Sequence, residues 1–387
     1  MAFSLSLCRG TLILCCASLV LSSAAKETTS QPTQQKWDFD WGYSGIATFG
    51  HLRHERCLAD PSISFDIAVL GIPFDTAASY RPGARFGPRA IRAASNRHLP
   101  SRGFNPYAGI NPYMSWAQVL DCGDIPVTPF DNELALKQMS EALHEMSERS
   151  ATNSKDGQPP KLILLGGDHS IALPALRALK SAYGTPITVV HFDAHLDTLH
   201  PSSYPSVWTS FQSDFTHGSM FWLAGKEGLI QNGTSVHAGL RTRLTGAGWD
   251  DYQRDDEQGF LRLTTEDIDA IGVQGIVDKI IRRTGTEHPV YLSFDIDVLD
   301  PGIAPGTGAP EPGGWTMREV NRILRGLRPL NIVGADIVEV SPAYDDKGES
   351  TAFAAAQIAY ELITNWVLRG SEESDIQKPK ATAKSEL

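Results

Sequence analysis

Three strand-like runs in this chain end abruptly in acid and imidazole. Residues 161–165 lead into Gly166-Gly167-Asp168-His169-Ser170, residues 187–192 into Asp193-Ala194-His195-Leu196-Asp197, and residues 289–294 into Asp295-Ile296-Asp297. Short apolar runs bounded in this way read as strands buried on both faces of a parallel sheet. Ligands of open parallel sheets bind at the carboxyl ends of the strands, so clusters far apart in sequence can meet there. Asp193, His195 and Asp197 alternate along the chain, which places them on one face of a continuing strand. Three such groups side by side repel one another or stay unsatisfied unless a cation gathers them. The plainer alternative is that each carboxylate caps a turn or meets an arginine.

Further strands are read at 67–73, 117–120, 235–240 and 332–340. Helices are read from Gly87-Pro88, where proline suits a first turn, and from Asp131, with Leu136, Met139, Leu143 and Met146 at helical spacing. Others are read over 173–183, around 265–283, from Thr316, which has capping-box spacing to Glu319, and over 350–369, stopped by Gly370. This alternation, without a long linker, argues for a single α/β domain over 37–370 built on a mainly parallel sheet. Arg81, Arg85, Arg89 and Arg92 either bind an anion or, the more usual role, tie loops together or line a subunit contact.

The first 25 residues read as a signal peptide: Arg9 precedes an apolar run over 11–21, and Ser23-Ala24-Ala25 is a small-residue cleavage site. A mitochondrial presequence, the main rival, is amphipathic and arginine-rich, and this segment is neither. Residues 26–36 read as a flexible lead-in and 371–387 as a polar tail, ending in Lys384-Ser385-Glu386-Leu387, a degenerate retrieval signal for the endoplasmic reticulum. The expected destination is the secretory pathway and secretion, with the reticulum lumen or the mitochondrion as alternatives. Asn232-Gly233-Thr234 is then a glycosylation acceptor. Cleavage leaves Cys57 and Cys122, which form one disulfide in an oxidising compartment, or else Cys122 is a buried free thiol. No other run reaches about 18 apolar residues, so no membrane span is expected in the mature chain. A formal net charge of −11 argues against nucleic acid as a partner and suits a small cationic substrate.

Together the strand-end clusters offer His169, Asp193, His195, Asp197, Asp295 and Asp297. Four carboxylates balance two divalent cations, and imidazoles among carboxylate oxygens suit manganese better than a structural zinc. GGDHS and HFDAHLD are followed in order by HGSMFW (217–222), SFDIDVLDP (293–301) and EVSPAYD (339–345), and preceded by GIPFD (71–75) and SYRPGARFGPRAIR (79–92). With these motifs the sequence closely resembles the ureohydrolase family of arginases and agmatinases, and its arginine-rich stretch is agmatinase-like. The resemblance implies a three-layer αβα sandwich, two manganese ions per subunit, hydrolysis of a guanidino group to urea and an amine, and a homotrimer or hexamer. Carried over to this chain, His169, Asp193, Asp197 and Asp295 would hold one ion and Asp193, His195, Asp295 and Asp297 the other. Asp193 and Asp295 would bridge. Asp197 would pass a proton to the leaving amine, His217 would shuttle protons, and Glu339 would pair with the substrate guanidinium.

Thr198, Leu199 and His200 stand where the segment by which arginases grasp the amino-acid head begins with an asparagine. Agmatine, giving putrescine, is therefore the expected substrate, ahead of 4-guanidinobutanoate and then arginine. From other classes, a catalytically silent binding protein is disfavoured by the complete ligand set, and a phosphoesterase by the lack of a phosphate-cradling loop. Tyr204, Trp208 and Phe211, in the long 198–216 loop, either line the far end of the pocket or anchor the loop. Gly306-Thr307-Gly308 shapes the rim or simply turns. Asp168 is read as orienting its loop or a neighbouring histidine. His191 and His237 lack ligand spacing and are read as packing or surface residues.

Overall fold

The computed structural model describes Trp37 and residues 39–154, 156–204 and 208–376; the leader, the lead-in and the KSEL terminus lie outside the described residues. In chain order the elements are β1 (Ile67–Ile72), α1 (Gly87–Ser95), β2 (Val119–Asp124), α2 (Asn132–Ser147), β3 (Lys161–Gly166) and α3 (Ala172–Tyr183). They continue with β4 (Thr188–Phe192), α4 (Met220–Lys226), β5 (Val236–Leu240), α5 (Asp250–Gln258), β6 (Leu261–Thr264) and α6 (Asp267–Thr284). Last come β7 (Val290–Asp295), α7 (Met317–Gly326), β8 (Ile332–Val338) and α8 (Ser350–Ile376).

The strands form one sheet in the order β2-β1-β3-β8-β7-β4-β5-β6, with every neighbouring pair parallel. Alternate residues of β1 divide between two cores. Ile67 and Val69 share one with Ile91 of α1, Ile276 of α6, Ile323 of α7 and Ile358 of α8. Ala68, Leu70 and Ile72 share the other with Met139 of α2, Leu176 of α3 and Phe221 of α4. The sheet is thus sandwiched between two helical layers, the αβα arrangement expected. The inner strands are buried along their length and mostly apolar because helices cover both faces, whereas the edge strand β6 is partly exposed.

Helix starts follow their capping signals. The Asp131 carboxylate accepts from the amides of Glu133 and Leu134, each at 3.0 Å. Thr316 and Glu319 form the reciprocal box, with the Thr316 amide donating to Glu319 Oε2 at 2.8 Å and the Glu319 amide to Thr316 Oγ1 at 3.4 Å. Gly370 is an exception: α8 runs through it to Ile376. A Cβ there would lie 2.2 Å from the Trp116 ring, whose Nε1 donates to the Val367 carbonyl at 2.8 Å. The glycine admits an indole against the helix backbone and does not stop the helix. α5 and β6 carried no sequence signal, because Asp250–Gln258 is polar all round and has no apolar stripe. Of the two readings for the cysteines, the structure shows the disulfide, Cys57–Cys122.

Candidate metal centre

β3, β8, β7 and β4 are consecutive in the sheet, and Leu165, Ile337, Phe294 and Phe192 align across them. Each strand therefore stops at the same level, and the residues just beyond face a common edge: His169 after β3, Glu339 after β8, Asp295 and Asp297 at β7, and Asp193, His195 and Asp197 after β4. Here the expectation of a continuing strand is corrected. The chain leaves β4 at Phe192 and turns, and Asp197 takes a φ of 54°. Left-handed backbone is strained for a residue with a Cβ, and the surroundings must hold it. Glu339 has the same strain, with φ 61°, and its amide is tied to the Gly167 carbonyl at 2.9 Å.

Two lobes result. His169 Nδ1 lies 3.1 Å from Asp193 Oδ2, 3.0 Å from Asp197 Oδ2 and 3.3 Å from Asp295 Oδ2. His195 Nδ1 lies 3.2 Å from Asp193 Oδ1 and 3.0 Å from Asp297 Oδ2. Asp193 thus offers one oxygen to each lobe. Asp295 meets only the first histidine, and its Oδ1 accepts the Asp297 amide at 2.8 Å. All four aspartates are buried, and among the described residues none is paired with lysine or arginine. Arg241 directs its donors to carbonyls, including that of Asp297 at 2.6 Å.

The donor set fits a cation. Ser293 Oγ gives its proton to Asp336, at 2.9 Å, and so accepts from His169 Nε2 at 2.7 Å. A neutral His169 then presents a bare Nδ1 to three carboxylates, and this buried atom has no hydrogen-bond partner among the described residues. Lone pairs converging in a dry site need a metal ion or a proton between them. Without metal the proton prevails: burial disfavours the imidazolium, but Asp193, Asp197 and Asp295 outweigh it and hold His169 protonated well above its usual range. The acids are in conflict as well. Burial, together with Asp297 and Asp193, pushes Asp295 well up, and burial with Asp193 lifts Asp297 to about 6.

His217 and Glu339 stand beside these lobes. Glu339 Oε1 accepts the His169 amide at 2.8 Å and faces His217 Nδ1 at 3.2 Å. Burial lowers the His217 pKa, yet the bond to Glu339 and the charges of Glu339, Asp197 and Asp168 raise it to about 9. Its Nε2 meets both the Ser79 amide, at 3.1 Å, and Ser79 Oγ, at 2.8 Å. The amide suits a bare Nε2 and the hydroxyl oxygen a protonated one, so either state is accommodated. Asp168 accepts from the amides of Ala77 and Ser170, at 2.9 and 3.0 Å, and so fastens its own loop. His195, Asp197, His217, Asp295, Asp297 and Glu339 open into a cavity of about 170 Å³ lined also by Leu199, Tyr204, Arg243 and Asp251. Trp208 lines a neighbouring cavity, and nothing is described of the Phe211 side chain.

Of the reading of His191 and His237 as packing or surface residues, the packing half holds, since they lie against Phe221 and Phe260, but each also joins a polar chain that reaches the site. Both are fully buried; His191 Nε2 lies 2.9 Å from Asp193 Oδ2, and His191 Nδ1 lies 2.7 Å from His237 Nδ1. The alternation at Asp193 already begins at His191, which is the signal the sequence offers. His237 is its partner across parallel strands, which no local spacing reveals. The arginine stretch behaves structurally: Arg92 pairs with Asp121 at 2.8 Å and Asp124 at 2.6 Å, and Arg85 pairs with Asp75.

The fold and the site together define an α/β protein whose buried histidines and aspartates could hold a metal ion at the carboxyl edge of a parallel sheet. The model of the arginase family matches residues 65–364. A Schizosaccharomyces pombe protein named "Putative agmatinase 1" is 48% identical over 330 residues, 83% of this chain and 82% of its own length. The agmatinase of Chromobacterium violaceum is 40% identical, covering 83% of this chain and 88% of that one. Among solved structures, proclavaminate amidino hydrolase from Streptomyces clavuligerus superposes with a TM-score of 0.74 at 34% identity, over 85% of this chain and all of that one. The chain belongs to the arginase family and is an amidinohydrolase.

Proposed function

We propose that this enzyme hydrolyses agmatine to putrescine and urea with two manganese ions. One observation carries the reading: His169 Nδ1, with no hydrogen-bond partner of its own among the described residues, faces oxygens of Asp193, Asp197 and Asp295, while Asp193 turns its other oxygen to His195 and hence toward Asp297. His169, Asp193, Asp197 and Asp295 would hold one ion, and Asp193, His195, Asp295 and Asp297 the other. When bound, the pair supplies a water acidic enough to act as a nucleophile near neutral pH.

The chain's own residues do the rest. Glu339 Oε1 is occupied by His169 and His217, whereas Oε2 takes no hydrogen bond among the described residues and faces the cavity for a guanidinium. Such a contact fixes the orientation of the planar carbon. Gly308 sits opposite, and a Cβ there would lie tightly, 3.3 Å from that oxygen and 3.1 Å from the Arg81 carbonyl. Asp197 holds a carboxylate oxygen over the cavity to carry a proton to the departing nitrogen. His217 keeps one proton on Nδ1 against Glu339 and exchanges the other at Nε2, beside Ser79.

Agmatine is favoured at the far end. Thr198 is buried and bonded to Asp255, and His200 packs edge-on against Trp222, so neither offers an arginase-like grip on an amino-acid head. The lining adds the carboxylate of Asp251, while the Arg243 side chain is 91% exposed. Urea release from agmatine, 4-guanidinobutanoate and arginine, with and without manganese, tests the proposal; turnover of arginine alone, or turnover unaffected by metal removal, refutes it. Entry of the chain into the secretory pathway, supported by the Cys57–Cys122 disulfide, is tested by the mass of the mature amino terminus. Assembly into a trimer or hexamer is tested by sedimentation.

A further inference from the structure

Resting on the metal-dependent reading above, we propose that Asp255 of α5 is a positioning residue that sets ligands of the metal centre from outside it, through two separate arms. Both arms end on one atom. Asp255 Oδ1 accepts from Thr198 Oγ1 at 2.8 Å and faces His237 Nε2 at 3.0 Å. The first arm reaches Asp197, because Thr198 is the next residue and Asp197 has the left-handed φ of 54°. Gln258, one turn along the same helix, donates to the Thr198 carbonyl at 3.1 Å and holds that backbone a second time. The second arm runs from His237 Nδ1 to His191 Nδ1 at 2.7 Å and from His191 Nε2 to Asp193 Oδ2 at 2.9 Å. That is the oxygen of Asp193 which faces His169.

Every side chain along both arms is closed off from water: Asp255, His237, His191 and Asp193 are 0% exposed and Thr198 is 2% exposed. An apolar set of the same shape would pack there without the expense of desolvating a carboxylate and two imidazoles. What the polar set adds is direction, since hydrogen bonds fix where the Asp193 oxygen and the Asp197 backbone point. Partners of this kind set ligand orientation and hence metal affinity. The ion pair of Asp255 with Arg262 is a separate matter. It uses Oδ2, at 2.7 Å, and Arg262 also pairs with Asp256 and lies over the Tyr252 ring.

The difference between the two oxygens supplies the experiment. Full-length wild type, Asp255→Ala, Asp255→Asn combined with Arg262→Ala, and Arg262→Ala alone are stripped of metal and titrated with Mn2+, following free ion by its electron paramagnetic resonance, and the metal-free forms are melted in parallel. Asp255→Ala is expected to bind manganese roughly 10- to 100-fold more weakly. Asp255→Asn, made together with Arg262→Ala so that its amide nitrogen meets no opposing guanidinium, keeps an Oδ1 acceptor for Thr198 and His237 and restores most of the affinity. Arg262→Ala lowers the melting temperature and leaves the affinity as in wild type. Should Asp255→Ala not fold, Thr198→Val and His237→Phe each cut one arm, and each is expected to weaken manganese binding. The proposal is overturned if the foldable hub or arm variants bind like wild type, or if Arg262→Ala loses as much affinity as Asp255→Ala. A wild type that takes up no manganese overturns the metal-dependent reading along with it, so the two failures are told apart.

Discussion

Replacing Glu339 with glutamine keeps the shape of the side chain and removes its charge, with consequences that can be worked from the site. The rise of His217 from 6.5 to about 9 corresponds to roughly 3.4 kcal/mol, at about 1.36 kcal/mol per pH unit. It is a net figure, left after burial has opposed it, and Glu339 contributes both the hydrogen bond and the leading charge. Glutamine still accepts from Nδ1, but only Asp197 and Asp168 remain to oppose burial, so the ring falls back toward or below 6.5. Loss of a charge-assisted bond to the guanidinium removes a further ~1.5–3 kcal/mol of transition-state binding, or roughly 10- to 150-fold in kcat/KM. The assay is urea release from agmatine between pH 6 and 10. Wild-type activity should decline on the alkaline side as His217 loses its second proton, and the variant should decline at distinctly lower pH. Stability carries the same sign. A raised imidazole pKa contributes stability that is complete below 6.5 and lost as pH climbs through about 9. The melting temperature of metal-free wild type should therefore sag between pH 7 and 9 more than that of Glu339→Gln. An alkaline limb left in place in the variant, or parallel melting curves, would refute the assignment of His217 and Glu339 as a coupled pair.

Manganese affinity should rise between pH 6 and 8, because His169, held protonated by three carboxylates, must release its proton to bind metal; a flat titration across that range would contradict the geometry. Arg92→Ala leaves Asp121 buried without its cation and should cost about 3–5 kcal/mol in chemical denaturation, with little change in KM. Reducing the Cys57–Cys122 bond, which spans 65 residues of chain, should cost about 4 kcal/mol at most, seen as a lower denaturation midpoint in the presence of reductant.

How far the sequence could be read depended on whether a feature is written locally. Strand-length apolar runs, the Thr316–Glu319 box and the clusters at strand ends are local, and each appears in the structure where its pattern lies. Even the first arm of the network has a local trace, since Thr198 adjoins Asp197. Gly370 misled because a glycine looks the same whether it ends a helix or admits a neighbouring ring, and the ring comes from Trp116, far away in the chain. α5 was silent for a related reason: a helix polar all round has no stripe to detect, although its Asp255 bonds both Thr198, the neighbour of Asp197, and His237.

The sequence by itself determined that acids and imidazoles would crowd the carboxyl ends of parallel strands, and that a cation is one way to gather such a crowd. Only the tertiary structure decided which of them share a lobe, that Asp193 serves both, and that His191, His237 and Asp255 stand behind it. The reason is physical: side-chain spacing along a strand is fixed by the backbone repeat, whereas neighbours across a sheet depend on strand order and register, which emerge from packing the whole chain.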